Sequence, residues 1–140
     1  MGSRQWAVGS SKKEDYQLNK GIMKINSYKD LIVWQKGMDL TESVYNISKK
    51  LPANELFGLT SQIRRSAVSI PSNIAEGYGR QSTGSYKQFL SISRGSLLEL
   101  ETQLLLCVRL KFIDPEEIEQ LFIEIDSLAR MLSSLISKIK

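Results

Sequence analysis

Apolar residues recur along this chain at alternating spacings of three and four, in four long segments separated by short polar stretches. That period lines up side chains on one face of an α-helix, whereas a strand alternates its faces every second residue. Each helix therefore has a stripe to bury and only other helices to bury it against. The pattern constrains the chain to an all-α fold. Connections of a few residues favour antiparallel neighbours, so the expected architecture is an up-down-up-down four-helix bundle.

The first helix is expected to open near Ser27 or Asp30, either of which can cap free N–H groups, and to run to about Leu51, before Pro52. Its inward residues are Val33, Gly37, Leu40, Val44, Ile47 and Leu51. The second opens at Asn54 and carries Leu56, Leu59, Ile63, Ala67, Ile70 and Ile74, with Gly77 and Gly79 as its stops. Pro71 lies inside it. Lacking an N–H, and with its ring against the carbonyl four residues back, it should kink this helix or split it. The third runs from Ser82 or Thr83 to about Arg109, with Tyr86, Leu90, Ser93, Leu97, Leu100 and Leu104 in one line. Phe89, Ile92, Leu98, Leu105 and Leu106 fall off that line, so this helix needs cover on more than one face. Asp114-Pro115-Glu116-Glu117 is a strong start for the fourth: a capping Asp, Pro at the first helical position, and acids in the positive first turn. Its stripe is Ile118, Phe122, Ile125, Ala129, Leu132, Ile136 and Ile139.

A chain of 140 residues, 41% hydrophobic, can bury one core without metals or disulfides. The single cysteine, Cys107, excludes a disulfide framework and sits in an apolar run, which suits a reducing cytoplasm. No stretch approaches the roughly 20 apolar residues that span a bilayer, and the start lacks the pattern of a secretion signal, so a cytoplasmic location is expected. Residues 1–26 are rich in Gly, Ser, Lys and Asn without a period; they read as a disordered extension or tag, and residues 27–140 as the bundle domain. Met23 is a plausible native start.

The formal charge of +4 invites a nucleic-acid reading, but residues 1–29 account for it, with 6 basic groups against 2 acidic, and residues 30–140 are neutral. Within them charge is segregated: residues 58–95 hold 5 basic groups and 1 acidic, residues 99–126 hold 2 basic and 8 acidic.

The chain has no histidine, which removes the commonest general base and metal ligand. Glu116, Glu117, Glu119 and Glu124 read as a solvated helix face rather than paired catalytic or metal-binding carboxylates. Gly77-Tyr78-Gly79 follows a helix and lacks the remaining glycines and the lysine of a phosphate loop. Cys107 in apolar surroundings reads as an inert core thiol. No enzyme, metal or cofactor is expected. What remains is a basic hairpin: Arg64 and Arg65 on the second helix, Arg80 in the loop, and Lys87 and Arg94 on the third. Charge alone leaves two readings open: contact with phosphates, or pairing with acids on a neighbouring helix or subunit. Among the aromatics Tyr78, beside two glycines and near Arg80, is the best candidate for meeting a ligand.

Three segments carry a resemblance. Tyr28-Lys29-Asp30-Leu31-Ile32-Val33-Trp34-Gln35-Lys36, then Gln62-Ile63-Arg64-Arg65-Ser66-Ala67, then Ser69-Ile70-Pro71-Ser72-Asn73-Ile74-Ala75-Glu76-Gly77, together resemble the "four helix bundle protein" family. Its members include proteins encoded within intervening sequences of bacterial large-subunit ribosomal RNA genes. The family is similar to the accessory variability protein of diversity-generating retroelements, a pentameric ring of four-helix bundles that binds nucleic acid and a reverse transcriptase. The resemblance implies a ring-shaped homo-oligomer, a pentamer, whose contacts would cover the apolar third helix. It implies a non-enzymatic scaffold binding structured RNA or RNA-DNA hybrids through Arg64, Arg65, Arg80, Lys87 and Arg94, or alternatively a protein-protein adaptor, for example a reverse-transcriptase partner. Pro71, Asn73, Glu76 and Gly77 match the family signature and are expected to be structural. The neutral domain and acidic fourth helix depart from the basic retroelement proteins.

Overall fold

The computed structural model describes residues 25–140. Four helices dominate it: α1 (Ile32–Ser48), α2 (Leu59–Tyr78), α3 (Thr83–Arg109) and α4 (Pro115–Lys138). Single 3-10 turns lie at Tyr28–Asp30 and Ala53–Glu55, and the described residues contain no strand. The leading segment lies outside the described residues except for Ile25 and Asn26. These two pack with the domain: Ile25 joins the core, and the Asn26 N–H donates to Asp30 Oδ2 at 2.8 Å.

Each helix packs against the next, and α4 closes the square against α1. The contacts run antiparallel at every seam. Gly37 meets Pro71 while Ser48 meets Arg64; Ser69 meets Ser96 while Gly77 meets Phe89; Arg94 meets Ser133 while Thr83 meets Lys140. Lys50 at the end of α1 forms an ion pair with Glu117 at the start of α4. The core is aliphatic, built on Leu40, Ile63, Ile70, Ile74, Leu90, Leu97, Leu100, Leu104 and Ile118, all fully buried.

The helix boundaries reflect local chemistry. α1 stops at Ser48, and Leu51 is buried from the connection rather than from the helix. α2 begins at Leu59, not Asn54. Pro52 and the turn Ala53–Glu55 interrupt the helix, and Glu55 Oε1 accepts from the Leu59 N–H at 3.0 Å in place of the missing side chain of Gly58. Leu56 and Phe57 consequently lie outside the stripe, and Phe57 is 94% exposed. α4 is rotated relative to expectation: Leu121, Leu128 and Leu135 are buried, while Phe122 and Ala129 are only half-buried.

Pro71 does not split α2, which is helical from Leu59 to Tyr78. Proline leaves the carbonyl of residue 67 without its helical donor. The Thr41 hydroxyl of α1 supplies one, lying 3.0 Å from Ala67 O and 2.7 Å from Gly37 O. On the other side the buried Ser93 hydroxyl donates to Ile70 O at 2.9 Å. The first of these replaces the donor that proline removes, and the second ties α3 to the carbonyl just before it. Gly37 lets α1 close on this site: a Cβ there would meet Ile70 Cγ2 at 3.4 Å and Pro71 Cβ at 3.5 Å.

Gly77 is not a helix stop. It lies within α2, where a Cβ would come 2.6 Å from Phe89 Cβ, so the absence of a side chain is what lets α2 and α3 approach. Gly79 ends the helix with right-handed backbone. The residue that adopts left-handed backbone is Lys111 (φ 65°), after α3, where its N–H donates to Val108 O and the Phe112 N–H to Cys107 O. That is the paired-bond helix ending normally built on glycine.

Candidate nucleic-acid interface

The five basic residues of the hairpin do not form one patch. Arg64 faces α1, with its guanidinium 4.9 Å from the centre of the Tyr45 ring and Nε donating to Ser48 Oγ at 2.9 Å. These contacts fasten the α1–α2 seam and leave Arg64 half-buried. Arg65 points to the outer groove between α2 and α3 and has no ion-pair partner among the described residues. Arg94 reaches across to α4, where Nη1 donates to Ser133 Oγ at 3.2 Å. Arg80 and Lys87 sit together at the opposite end of the bundle from Arg64. Arg80 pairs with Glu76 at 2.7 Å and stacks over Phe89 at 4.8 Å, while Lys87 is exposed.

The signature residues also have definite partners. Asn73 Nδ2 donates to both Ser69 O and Ser69 Oγ at 2.8 Å, and Glu76 holds Arg80 one turn on. Tyr78 is the last residue of α2 and is buried, its ring edge-on to Tyr86 with centres 5.9 Å apart. It packs in the core rather than lying in a loop, which removes it as a stacking platform.

Folding turns the charge segregation of the sequence into an axial one. The antiparallel register places the first half of α1, the second half of α2, the first half of α3 and the end of α4 at one end of the bundle. There the cations Lys29, Lys36, Arg80, Lys87, Arg94, Lys138 and Lys140 face three acids, Asp30, Asp39 and Glu76, while Arg130, near the middle of α4, is paired with Asp126 at 2.9 Å. The other half, holding Glu99, Glu101, Asp114, Glu116, Glu117, Glu119, Glu124 and Asp126, is net acidic. Lys29, Lys36, Lys138 and Lys140 were not among the candidate residues of the sequence, because α1 and α4 are brought beside the hairpin only by folding. A basic end of this kind attracts phosphate without specifying sequence.

The rest of the surface offers little chemistry. The described residues contain no cluster of Cys, Asp or Glu able to hold a metal, and no helix among them is long and apolar enough to cross a membrane. Cys107 is fully buried; burial, and secondarily the Glu55 carboxylate, push its thiol up to about 11. Outward-facing apolar side chains gather on α3, where Ile92, Leu98, Leu105 and Leu106 are each about half exposed and a Cβ at Gly84 or Gly95 would meet nothing within 4 Å. A face so apolar on a helix already buried on its other side is suited to another macromolecule.

These features define a class: an antiparallel all-α bundle with a proline-bearing second helix and a basic end. Within that class the chain belongs to the 23S rRNA-intervening sequence protein family, whose model matches residues 29–134. That span takes in the three sequence blocks that carried the resemblance, all but the first residue, Tyr28. No curated protein matches the chain.

Proposed function

We propose that this protein is a non-enzymatic, cytoplasmic scaffold that assembles into a ring-shaped homo-oligomer, a pentamer by resemblance to the retroelement accessory protein, and binds structured RNA or RNA-DNA hybrids at its basic end. The axial segregation of charge carries the reading. Phosphate binding requires several cations on one surface, and Arg80, Lys87, Lys138 and Lys140 supply it where α2, α3 and α4 end or begin. Arg64, committed to Tyr45 and Ser48, is better read as structural. The apolar outer face of α3 supports the assembly.

The test compares the full chain with a variant carrying Arg80→Glu, Lys87→Glu, Lys138→Glu and Lys140→Glu, by fluorescence anisotropy on labelled structured RNA across a salt series. Both proteins share the basic leading residues, so that contribution cancels. The variant should lose affinity at low salt and show a shallower salt slope, with helicity and assembly mass unchanged. Equal slopes would reject the interface. The adaptor reading, in which the protein serves a partner such as a reverse transcriptase, rests on the same polarity: acidic and basic ends of neighbouring copies would pair with each other. Sedimentation in rising salt separates the two, since end-to-end charge pairing dissociates and apolar packing does not.

A further inference from the structure

Across the outer groove between α2 and α3, residues face each other in three rungs one helical turn apart: Ser69 with Ser96, Arg65 and Ser66 with Glu99, and Gln62 with Gln103. The lowest rung is closed. Ser69 Oγ and Ser96 Oγ are 2.8 Å apart, and Asn73 fixes Ser69 from the next turn. The upper two rungs are open. Arg65 and Glu99, opposite in charge and on facing helices, form no ion pair with each other or with any other described residue. Gln103 is 94% buried by its 6% relative exposure, and its Oε1 has no hydrogen-bond partner. Between them lies a cleft of about 320 Å³.

Buried polar atoms are almost always bonded; Gln103 lines the polar cleft, yet its Oε1 is turned away from it and sealed without a donor. The last torsion of a glutamine is soft, and the amide can turn into the cleft at little cost. The two walls differ in chemistry. The α2 wall donates, through the Arg65 guanidinium and the Gln62 amide, and the α3 wall accepts, through the Glu99 carboxylate and, once its amide has turned, through Gln103 Oε1. An occupant must therefore present acceptors along one edge and at least two donors along another, and be flat enough to lie between two helices.

We infer that this groove is a pocket for an unpaired guanine of RNA. Guanine presents O6 and N7 as a paired acceptor edge that matches a guanidinium, and N1–H and N2–H as a donor edge that matches a carboxylate. Single-stranded or bulged bases are free to be read on these edges. This rests on the nucleic-acid reading above, but it uses different residues from the basic end. The basic end holds phosphate without reading sequence, and the groove reads a base.

The test uses the full chain and three labelled uridine-rich single-stranded RNA hexamers that differ in one central base: guanine, inosine, which lacks the N2 amino group, or 7-deazaguanine, which lacks the N7 acceptor. Guanine should bind about tenfold more tightly than either analogue, the effect of losing one hydrogen bond to a charged group. Glu99→Gln should remove the preference over inosine but keep that over 7-deazaguanine, and Arg65→Ala should do the reverse. Gln103→Leu should weaken guanine binding while raising the melting temperature of the free protein, which a residue kept only for packing would not do. If guanine and inosine bind alike to the wild type with a steep salt slope, the groove is not a base pocket although the phosphate interface stands. If none of the hexamers binds at low salt while labelled structured RNA does, the groove fails and the phosphate interface stands; if neither binds, both fail.

Discussion

The bond from Thr41 to Ala67 O should be a conditional one, valuable only because residue 71 is proline. In the wild type, Thr41→Val keeps the side-chain volume but leaves the Ala67 carbonyl facing the α1–α2 seam without a donor. An orphaned buried acceptor costs about 1–3 kcal/mol, so a loss of about 1.5 kcal/mol is expected, or roughly 5 °C in Tm for a domain of this size. With Pro71→Ala in the background, residue 71 regains an N–H that donates to Ala67 O, and the same Thr41→Val should cost under about 0.5 kcal/mol. The difference, a coupling of about 1 kcal/mol, is independent of whatever Pro71→Ala does by itself to packing against Gly37. It would be measured by urea unfolding of the four proteins, followed by far-ultraviolet circular dichroism at one fixed chain concentration so that assembly does not enter the comparison. Equal costs in the two backgrounds, within about 0.3 kcal/mol, would show that the hydroxyl serves the Gly37 carbonyl of its own helix and that proline is accommodated some other way.

Gly77→Ala would bring a Cβ to 2.6 Å from Phe89 Cβ, an atom too close to the backbone to swing aside, so overpacking of about 1–3 kcal/mol should outweigh the gain in helix propensity and lower Tm. Lys111→Gly should raise stability by about 1 kcal/mol, because φ is 65° there and glycine adopts it without strain; a lower Tm would refute this. Glu117 has its carboxyl held below the usual range by the hydrogen bond from Lys50 and then by the Asp114 N–H. A folded pKa below the unfolded one gives stability that is present above the ordinary glutamate range and lost as pH falls through the folded value. Glu117→Gln should therefore flatten the dependence of Tm on pH below about pH 4, and 0.5 M salt should shrink the difference on these exposed groups. Native Cys107 should resist a thiol reagent at pH 8 and react only at the rate of unfolding, since its thiolate becomes abundant only near pH 11.

The four helices were legible because a stripe of apolar residues at helical spacing has few other uses. Their partners in hydrogen bonding were not. Nothing in the sequence joins Thr41 to Ala67, because the need arises at Pro71 and the remedy comes from a helix some thirty residues earlier. Asn73 was expected to be structural from its place in the family signature, yet its acceptor, Ser69, follows only once the helix is in place. The start of α2 was misplaced because Asn54 is a good cap in isolation, whereas the carboxylate that caps Leu59 belongs to Glu55, four residues away in a 3-10 turn. The rotation of α4 reflects a real ambiguity, since Phe122 and Leu121 both continue the stripe from Ile118, and only the positions of α1 and α3 choose between them. At the candidate site, adjacency in sequence misled most. Arg64 and Arg65 are neighbours in the chain, but a helix turns about 100° per residue, and they serve different seams.

The axial charge and the apolar face of α3 together constrain how copies can be arranged. A closed ring with bundle axes along its symmetry axis puts every basic end on the same side. Each copy then adds a surplus of cations to one mouth, where the cations of neighbouring copies repel one another and a polyanion is attracted. Such a ring is held by apolar contacts against its own charge, so added salt should tighten it and a bound polyanion should tighten it further. Copies packed antiparallel would instead match basic to acidic halves, gain from charge, loosen in salt and present no strongly basic surface to RNA. The sign of the salt effect on assembly therefore reports on function as well as on symmetry, because only the arrangement that salt strengthens leaves the basic ends together and free to hold phosphate.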